Sequence, residues 1–250
     1  MTATPVLEAE DVVKELGSGA GKVMALKGVS LRLMPGELTL LMGPSGSGKT
    51  TLLSVLGCIL TATSGRLRIS GEDTANMDAE RLAELRRKHL GYIFQSYNLF
   101  PTLTALENVR IALDVRGMKG YPAAARAEEV LRDVGLSHRM KSFPAHLSGG
   151  EQQRVAVARA IAAAPSVVLA DEPTAALDSE NGHAVMALLA RIAHEQKRCV
   201  LAVTHDPRTL GYADRVLRIE DGKIVGEDRR PEGLNAPGIA DLTKRRKANV

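Results

Sequence analysis

Val29, Leu31 and Leu33 alternate with polar residues, and this period of two predicts a strand with one face buried. A few residues on, Leu38 to Met42 reads LTLLM, apolar except for Thr39, which fits a strand covered on both faces. Upstream, VLEAEDVVKEL and a Gly-rich turn from Gly17 to Gly21 add a further strand and its reversal. Downstream, SGRLRISGED at 64 to 73 has the punctuation of a hairpin, with Gly65 and Gly71 at the turns. Asp78 to Lys88 is a charged helix whose apolar stripe is Leu82 and Leu85.

From Ser96 to about Pro144 the pattern turns chiefly helical, in TLTALENVRIALDVRG and YPAAARAEEVLRDVGL, and reads as an inserted helical lobe. A helix from Ser148 to Ala163 follows, then a strand at Val167 to Ala170, a helix from Glu180 to Glu195 and a strand at Arg198 to Val203. A short helix and a strand pair in DRVLRIEDGKIVGE come last, and the stretch after Gly226 is expected to be a weakly ordered tail. Strands alternating with helices imply a mostly parallel sheet in three layers.

Composition narrows the classes. A chain of 250 residues can bury one large core or two associated lobes. Cys58 and Cys199 lie 141 positions apart, with no CxxC pair, which excludes a disulfide framework or a structural zinc site and leaves buried thiols as the expectation. The 33 basic residues exceed the 29 acidic ones by only four, so no nucleic-acid partner is expected. Part of that excess is the run Lys244, Arg245, Arg246 and Lys247, expected to be a solvated terminus. Aromatics at 3%, with no Trp, argue against a base-stacking surface. The runs Leu52 to Leu60 and Ile161 to Ala170 are too short and interrupted to cross about 30 Å of hydrocarbon. MTATPVLEAEDVVKEL lacks the basic and apolar regions of a secretory signal, so a cytoplasmic chain is expected.

The apolar strand at 38 to 42 runs into Gly43, Pro44, Ser45, Gly46, Ser47, Gly48, Lys49 and Thr50, a G-x-x-x-x-G-K-[ST] loop leading into a helix. Glycines there let backbone N–H groups converge on phosphate, and the helix N-terminus favours negative charge. Lys49 is placed for the β- and γ-phosphates, and the Thr50 hydroxyl for magnesium, with Thr51 beside it in the phosphate-contacting set. A second strand, VVLA, ends in Asp171 and Glu172, at the edge where parallel sheets bind ligands. Asp171 would serve the metal, and Glu172 would orient or deprotonate the water attacking the γ-phosphate. Two more strand ends carry polar residues: Gln95 after YIF, facing metal and water, and His205 after VLAVT, facing the γ-phosphate.

LSGGEQQR at 147 to 154 has no part in that phosphate site. Ser148 with Glu151 three residues later is a capping box. Capping leaves Gly149 and Gly150 unexplained, since paired glycines weaken a helix unless something approaches the backbone closely, and a phosphate from another molecule would do so.

Together these residues resemble the ATP-binding cassette (ABC) ATPases over roughly residues 6 to 226, in the order phosphate loop, Gln95 loop, LSGGEQQR signature, VVLADE, AALD at Ala175 to Asp178, and His205. The resemblance implies an α/β P-loop fold of ABC type, with a mostly parallel core sheet, an antiparallel N-terminal subdomain and an inserted helical subdomain at about 96–160. It makes 1–228 one nucleotide-binding domain and 229–250 a basic tail. It implies ATP and magnesium as cofactors, with Thr50, Gln95 and Asp171 around the metal and Glu172, His205 and Gln95 in catalysis. It also implies a head-to-tail homodimer, in which Ser148, Gly149 and Gly150 cap the nucleotide held by Lys49 of the other copy and Asp178 lies at the facing interface. Such cassettes usually stack an aromatic ring on adenine near the end of the first strand; Leu16 stands at that position here, a departure from the family pattern.

At finer grain, LRRKHLGYIFQSYNLFPTLTALENV is similar to the subgroup serving lipoprotein release, macrolide export, cell division and heterocyst-type export. That implies ATPase subunits on the cytoplasmic face of the inner membrane, beneath separate integral membrane subunits contacted near Tyr97, Asn98, Leu99 and Phe100. Export or release of a lipophilic substrate or lipoprotein is the expected task. Importers of small polar solutes share much of the pattern and stand as one alternative. A soluble cassette of repair or translation is another, without the coiled-coil insertion or second cassette typical of those proteins.

Overall fold

A strand buried on both faces sends alternate side chains into opposite layers, and the central sheet of this molecule is built that way. The computed structural model describes residues 4–229. The chain begins with β1 (Leu7–Leu16), β2 (Val23–Leu33) and β3 (Leu38–Met42), followed by α1 (Lys49–Leu56), β4 (Ser64–Ile69) and β5 (Glu72–Asp73). Next come α2 (Ala79–His89), β6 (Leu90–Ile93), α3 (Ala105–Asp114), α4 (Gly120–Asp133) and α5 (Gly149–Ile161). The chain then runs through β7 (Val167–Asp171), α6 (Ser179–Gln196), β8 (Cys199–Val203), β9 (Arg215–Glu220) and β10 (Lys223–Arg229).

Two sheets result. The antiparallel one has the order β2-β1-β4-β5, and the central one has the order β10-β9-β3-β8-β7-β6, parallel throughout except for the β9–β10 pair. Leu40, Val168, Ala170, Val200 and Ala202 face the core shared with α3, α4, α5 and α6. Their neighbours Leu41, Val167, Leu169, Leu201 and Val203 face the core shared with α1, α2 and the antiparallel sheet. This is the three-layer, mostly parallel arrangement with a helical lobe that the sequence pattern implies.

Three expectations need adjustment. The first concerns the tail. Residues 227–229 belong to β10, with Glu227, Asp228 and Arg229 registered against Leu217, Val216 and Arg215. Their charged side chains hide a strand from any hydrophobic pattern, yet they are held by ion pairs: Glu227 to the buried Arg215 at 3.7 Å, Asp228 to Arg218, and Arg229 to Glu37 at 3.9 Å. The remainder of the expected tail, 230–250 with its basic run, lies outside the described residues.

Second, residues 96–104 are not helical; α3 starts only after Thr104, whose side chain forms a capping box with Glu107. Third, the strand expected from Arg198 starts at Cys199. Both cysteines are buried and free, as expected, and burial pushes the Cys58 thiol up to about 11, well away from reactive thiolate.

Candidate active site

Register brings the functional strand ends into one row. β3, β8, β7 and β6 lie side by side and parallel, with Leu41 opposite Val203, Val203 opposite Asp171, and Ala170 opposite Ile93. The segments that leave these strands therefore emerge on one edge in the order phosphate loop, His205, Asp171 with Glu172, and Gln95. Thr204 N–H donates to the Leu41 carbonyl at 3.2 Å and Glu172 N–H to the Val203 carbonyl at 3.0 Å, which extends the ladder one residue past the strands.

The loop after β3 is shaped by close backbone contacts. Gly48 has φ +99°, a left-handed conformation costly for other residues, and a Cβ there would lie 2.6 Å from the Ala25 carbonyl oxygen. A Cβ on Gly43 would lie 2.1 Å from the Ile219 carbonyl oxygen. Pro44, Ser45, Gly46 and Thr50 are exposed at the mouth, whereas Ser47 is buried. Lys49 Nζ donates to the carbonyls of Gly43 at 2.8 Å and Pro44 at 2.7 Å, so its ammonium lies over the loop. Thr51 sits half-buried in the first turn of α1.

Across the edge, the Thr50 side chain faces the Asp171 carboxyl. Burial, and then the adjacent Glu172 charge, raise the Asp171 carboxyl above the ordinary carboxylate range; Thr50 and the Lys49 charge partly offset this. Glu172 adopts φ +46°, an unusual backbone for a long side chain, of the kind that functional sites retain. Its Oε1 lies 2.9 Å from His205 Nδ1, so two residues 33 positions apart form a direct pair. Gln95 is exposed on the turn two residues beyond β6, and no hydrogen bond among the described residues ties it to the others.

Two buried atoms test whether the site fits a phosphate and a cation. Ser47 Oγ and Asp171 Oδ1 are both sequestered with no hydrogen-bond partner. A hydroxyl in a phosphate loop and a desolvated carboxylate beside Thr50 and Lys49 are the groups a phosphate oxygen and a hard cation would satisfy. No group of three or more His, Cys, Asp or Glu among the described residues could hold a metal alone. Such an ion would therefore draw most of its ligands from phosphate and water, as magnesium does.

The signature segment stands apart from this edge. Ser148 is the exposed N-cap of α5, with the expected capping box: its hydroxyl accepts from Glu151 N–H at 3.3 Å and its N–H donates to Glu151 Oε2 at 2.8 Å. Arg139 Nε donates to the other oxygen of Glu151 at 2.9 Å. The glycines have partners inside the same chain. A Cβ on Gly150 would lie 2.2 Å from Asn181 Oδ1, and one on Gly149 would lie 3.1 Å from the Tyr97 hydroxyl. The doubling of glycine therefore does not by itself require a phosphate from elsewhere. Asp178 is the exposed N-cap of α6, accepting from Asn181 N–H at 2.9 Å and from Asn181 Nδ2 at 2.7 Å. Leu16 ends β1 at 37% exposure opposite Val23, which is also exposed.

Several residues that hold these parts gave no sequence signal. Tyr97 and Asn98 both adopt positive φ, and the Arg159 guanidinium clasps their carbonyls. Buried Asn108 accepts from Phe100 N–H and donates to the carbonyls of Phe100, Leu103 and Thr104. On a helix both read as ordinary polar positions. Of the segment expected to meet a membrane subunit, Phe100 is 48% exposed, whereas Leu99 packs partly into the core.

Comparison with known proteins gives consistent matches. The family model described as ABC transporter matches residues 26–175. The macrolide export ATP-binding/permease protein MacB of Escherichia coli (strain K12) is 45% identical over 235 residues, covering 94% of this chain and 36% of that protein. MacB of Shigella dysenteriae serotype 1 (strain Sd197) is 44% identical over 241 residues, covering 96% and 36%. The chain thus spans about a third of the length of these relatives. Among solved structures, a dimeric post-hydrolysis state of the ATP-binding cassette MJ0796 bound to ADP and Pi matches with TM-score 0.83 and 39% identity, over 90% of this chain and 99% of that one. A nucleotide-free ATP-binding cassette from an ABC transporter matches with TM-score 0.79 and 27% identity, over 92% and 93%.

Proposed function

Because this chain belongs to the ABC transporter family and is an ATP-binding and hydrolysing domain of it, we propose that two copies pair head to tail, hydrolyse ATP with magnesium, and drive a membrane-embedded permease. The observation that carries this is the single sheet edge on which the phosphate loop, the Asp171–Thr50 pair and the Glu172–His205 pair stand side by side.

On this reading, residues 4–228 act as one nucleotide-binding unit. The loop N–H groups and Lys49 hold the phosphates, and the exposed aliphatic face of Leu16 and Val23 covers the base in place of an aromatic ring. When bound, magnesium neutralises charge across the phosphate oxygens, and Thr50, Asp171 and Gln95 are the groups that would hold it. Glu172 accepts a proton from, or orients, the attacking water, and His205 at 2.9 Å fixes that carboxylate and faces the γ-phosphate. Ser148 and Gly150 of the second copy close the site, with Asp178 at the facing surface.

Among the described residues no helix is long and apolar enough to cross a membrane. On this reading the work of hydrolysis passes to a permease subunit at the cytoplasmic face, through exposed Phe100 and its neighbours beyond Gln95. The MacB relatives are named for macrolide export and as combined ATP-binding/permease proteins. That favours export or release of a lipophilic cargo over import of a polar solute.

Glu172→Gln tests the chemical core. It should keep ATP affinity, since the phosphate cradle is untouched, while turnover falls about 100-fold or more. Turnover above about a tenth of wild type would remove Glu172 from the role of principal base.

A further inference from the structure

Arg208 follows His205 by three residues and reaches across to another element. Asp206 caps the turn at Pro207–Tyr212, accepting from Arg208 N–H at 2.9 Å and from Arg208 Nε at 3.0 Å. A guanidinium is a rigid fork of donors, and its far arm donates to the Ser179 hydroxyl in the first turn of α6. A small open cleft separates the two elements, with Leu177, Ser179 and Met186 on one side and Asp206 and Thr209 on the other. Arg208 spans it, and its hydrogen bonds, with its charge adding less, hold the Asp206 carboxyl below the ordinary range.

The α6 side leads onward. Asp178 and Asn181 bond to each other at the same helix end, and Asn181 Oδ1 presses on Gly150, where a Cβ would lie only 2.2 Å away. The link from the turn after His205, which is bonded to Glu172, thus runs through the Arg208–Ser179 hydrogen bond into the first turn of α6, and from there by the close packing of Asn181 on Gly150 to the N-terminus of α5. We propose that Arg208 is a positioning residue that ties the His205 turn to the α6 N-terminus, and so sets how the Ser148–Gly150 segment is presented when Glu172 and His205 engage a nucleotide. This rests on the reading that the segment serves the nucleotide of a second copy. One end of the link then belongs to a chain's own site and the other to its partner's, so hydrolysis at the two sites is coupled through Arg208 and Ser179.

Arg208 is more than half exposed, and the two elements are also joined by His183 Nδ1 and the Tyr212 hydroxyl at 3.1 Å, so its replacement leaves the fold standing. The test measures ATP turnover for Arg208→Gln, Ser179→Ala, the double variant and Arg208→Lys, together with thermal melting and light scattering of Glu172→Gln with ATP. We expect kcat to fall about tenfold in Arg208→Gln, with KM for ATP within about twofold and melting unchanged. The double variant should be no worse than the poorer single one, because both remove the same contact. Arg208→Lys should recover only part of the loss, since a point charge cannot engage Asp206 and Ser179 together in one fork. Turnover of Arg208→Gln within about twofold of wild type, or losses that multiply in the double variant, would overturn the inference alone. A Glu172→Gln protein that stays monomeric at saturating ATP would overturn the two-copy reading and this inference with it.

Discussion

Asp171 is the residue whose ionisation the fold opposes most clearly at the site. Half-buried at the end of β7 and next to Glu172, its carboxyl holds a proton more tightly in the folded chain than in the unfolded one, whose value is about 3.9. Between that value and the raised one, the folded state binds more proton, so stability falls as pH rises through the window and the loss persists at neutral pH. Asp171→Asn removes the charge at nearly constant volume. It should raise the melting temperature of nucleotide-free protein at neutral pH, the gain vanishing near pH 4, while abolishing hydrolysis. Melting curves across that range check it, and a lower melting temperature for Asp171→Asn at neutral pH would contradict the account. At this scale the sequence was a partial guide. Lys49, Thr50, Asp171, Glu172 and His205 are legible because phosphate chemistry dictates their types and neighbours. Asn181, Arg159 and Arg208 are not, because each acts on groups brought near by the fold; Asn108 acts on the loop just before its own helix, where a single polar helical position gives no sign of it.

The N-terminus of α5 shows how one element is seated by another. Gly150 is buried against Asn181, whose Oδ1, Cγ and Cβ would lie 2.2, 2.5 and 3.0 Å from an added Cβ. Rotating the amide clears the first two but not the third. Gly150→Ala should therefore cost about 1–3 kcal/mol, the usual range for overpacking. Adding Asn181→Ala should recover part of that loss, because only the 3.0 Å contact then remains. Denaturation of the single and double variants reads this out, and a Gly150→Ala protein as stable as wild type would show that α5 has room to shift. The central strands were legible from their apolar runs, as was the Ser148–Glu151 capping box from its spacing. The strand pair at 214–227 was legible too, but the end of β10 was not, because an edge held by Glu227, Asp228 and Arg229 carries no apolar period. Residues 96–104 were drawn into the helical lobe only by the helices after them: Ser96, Asn98, Pro101 and two threonines are poor helix formers, and Thr104 fixes the start of α3.

At the scale of the whole molecule, two apolar layers grip the central sheet and leave its C-terminal edge bare for chemistry. On that edge each chain offers a phosphate loop, while its Ser148 segment is capped and packed elsewhere, on α5. The layout suits a site shared between two copies, and the matched MJ0796 cassette is described as a dimer. On that layout one copy would supply Lys49 and the other Ser148 to the same nucleotide. Mixing two inactive chains, Lys49→Ala and Ser148→Arg, tests it most directly. A mixed pair would hold one intact site, with Lys49 from the Ser148→Arg chain and Ser148 from the Lys49→Ala chain. Random pairing then gives turnover of up to about a quarter of wild type, the full quarter if the intact site works on its own, from proteins that are inactive alone. A mixture no more active than the sum of its two components would contradict the shared site.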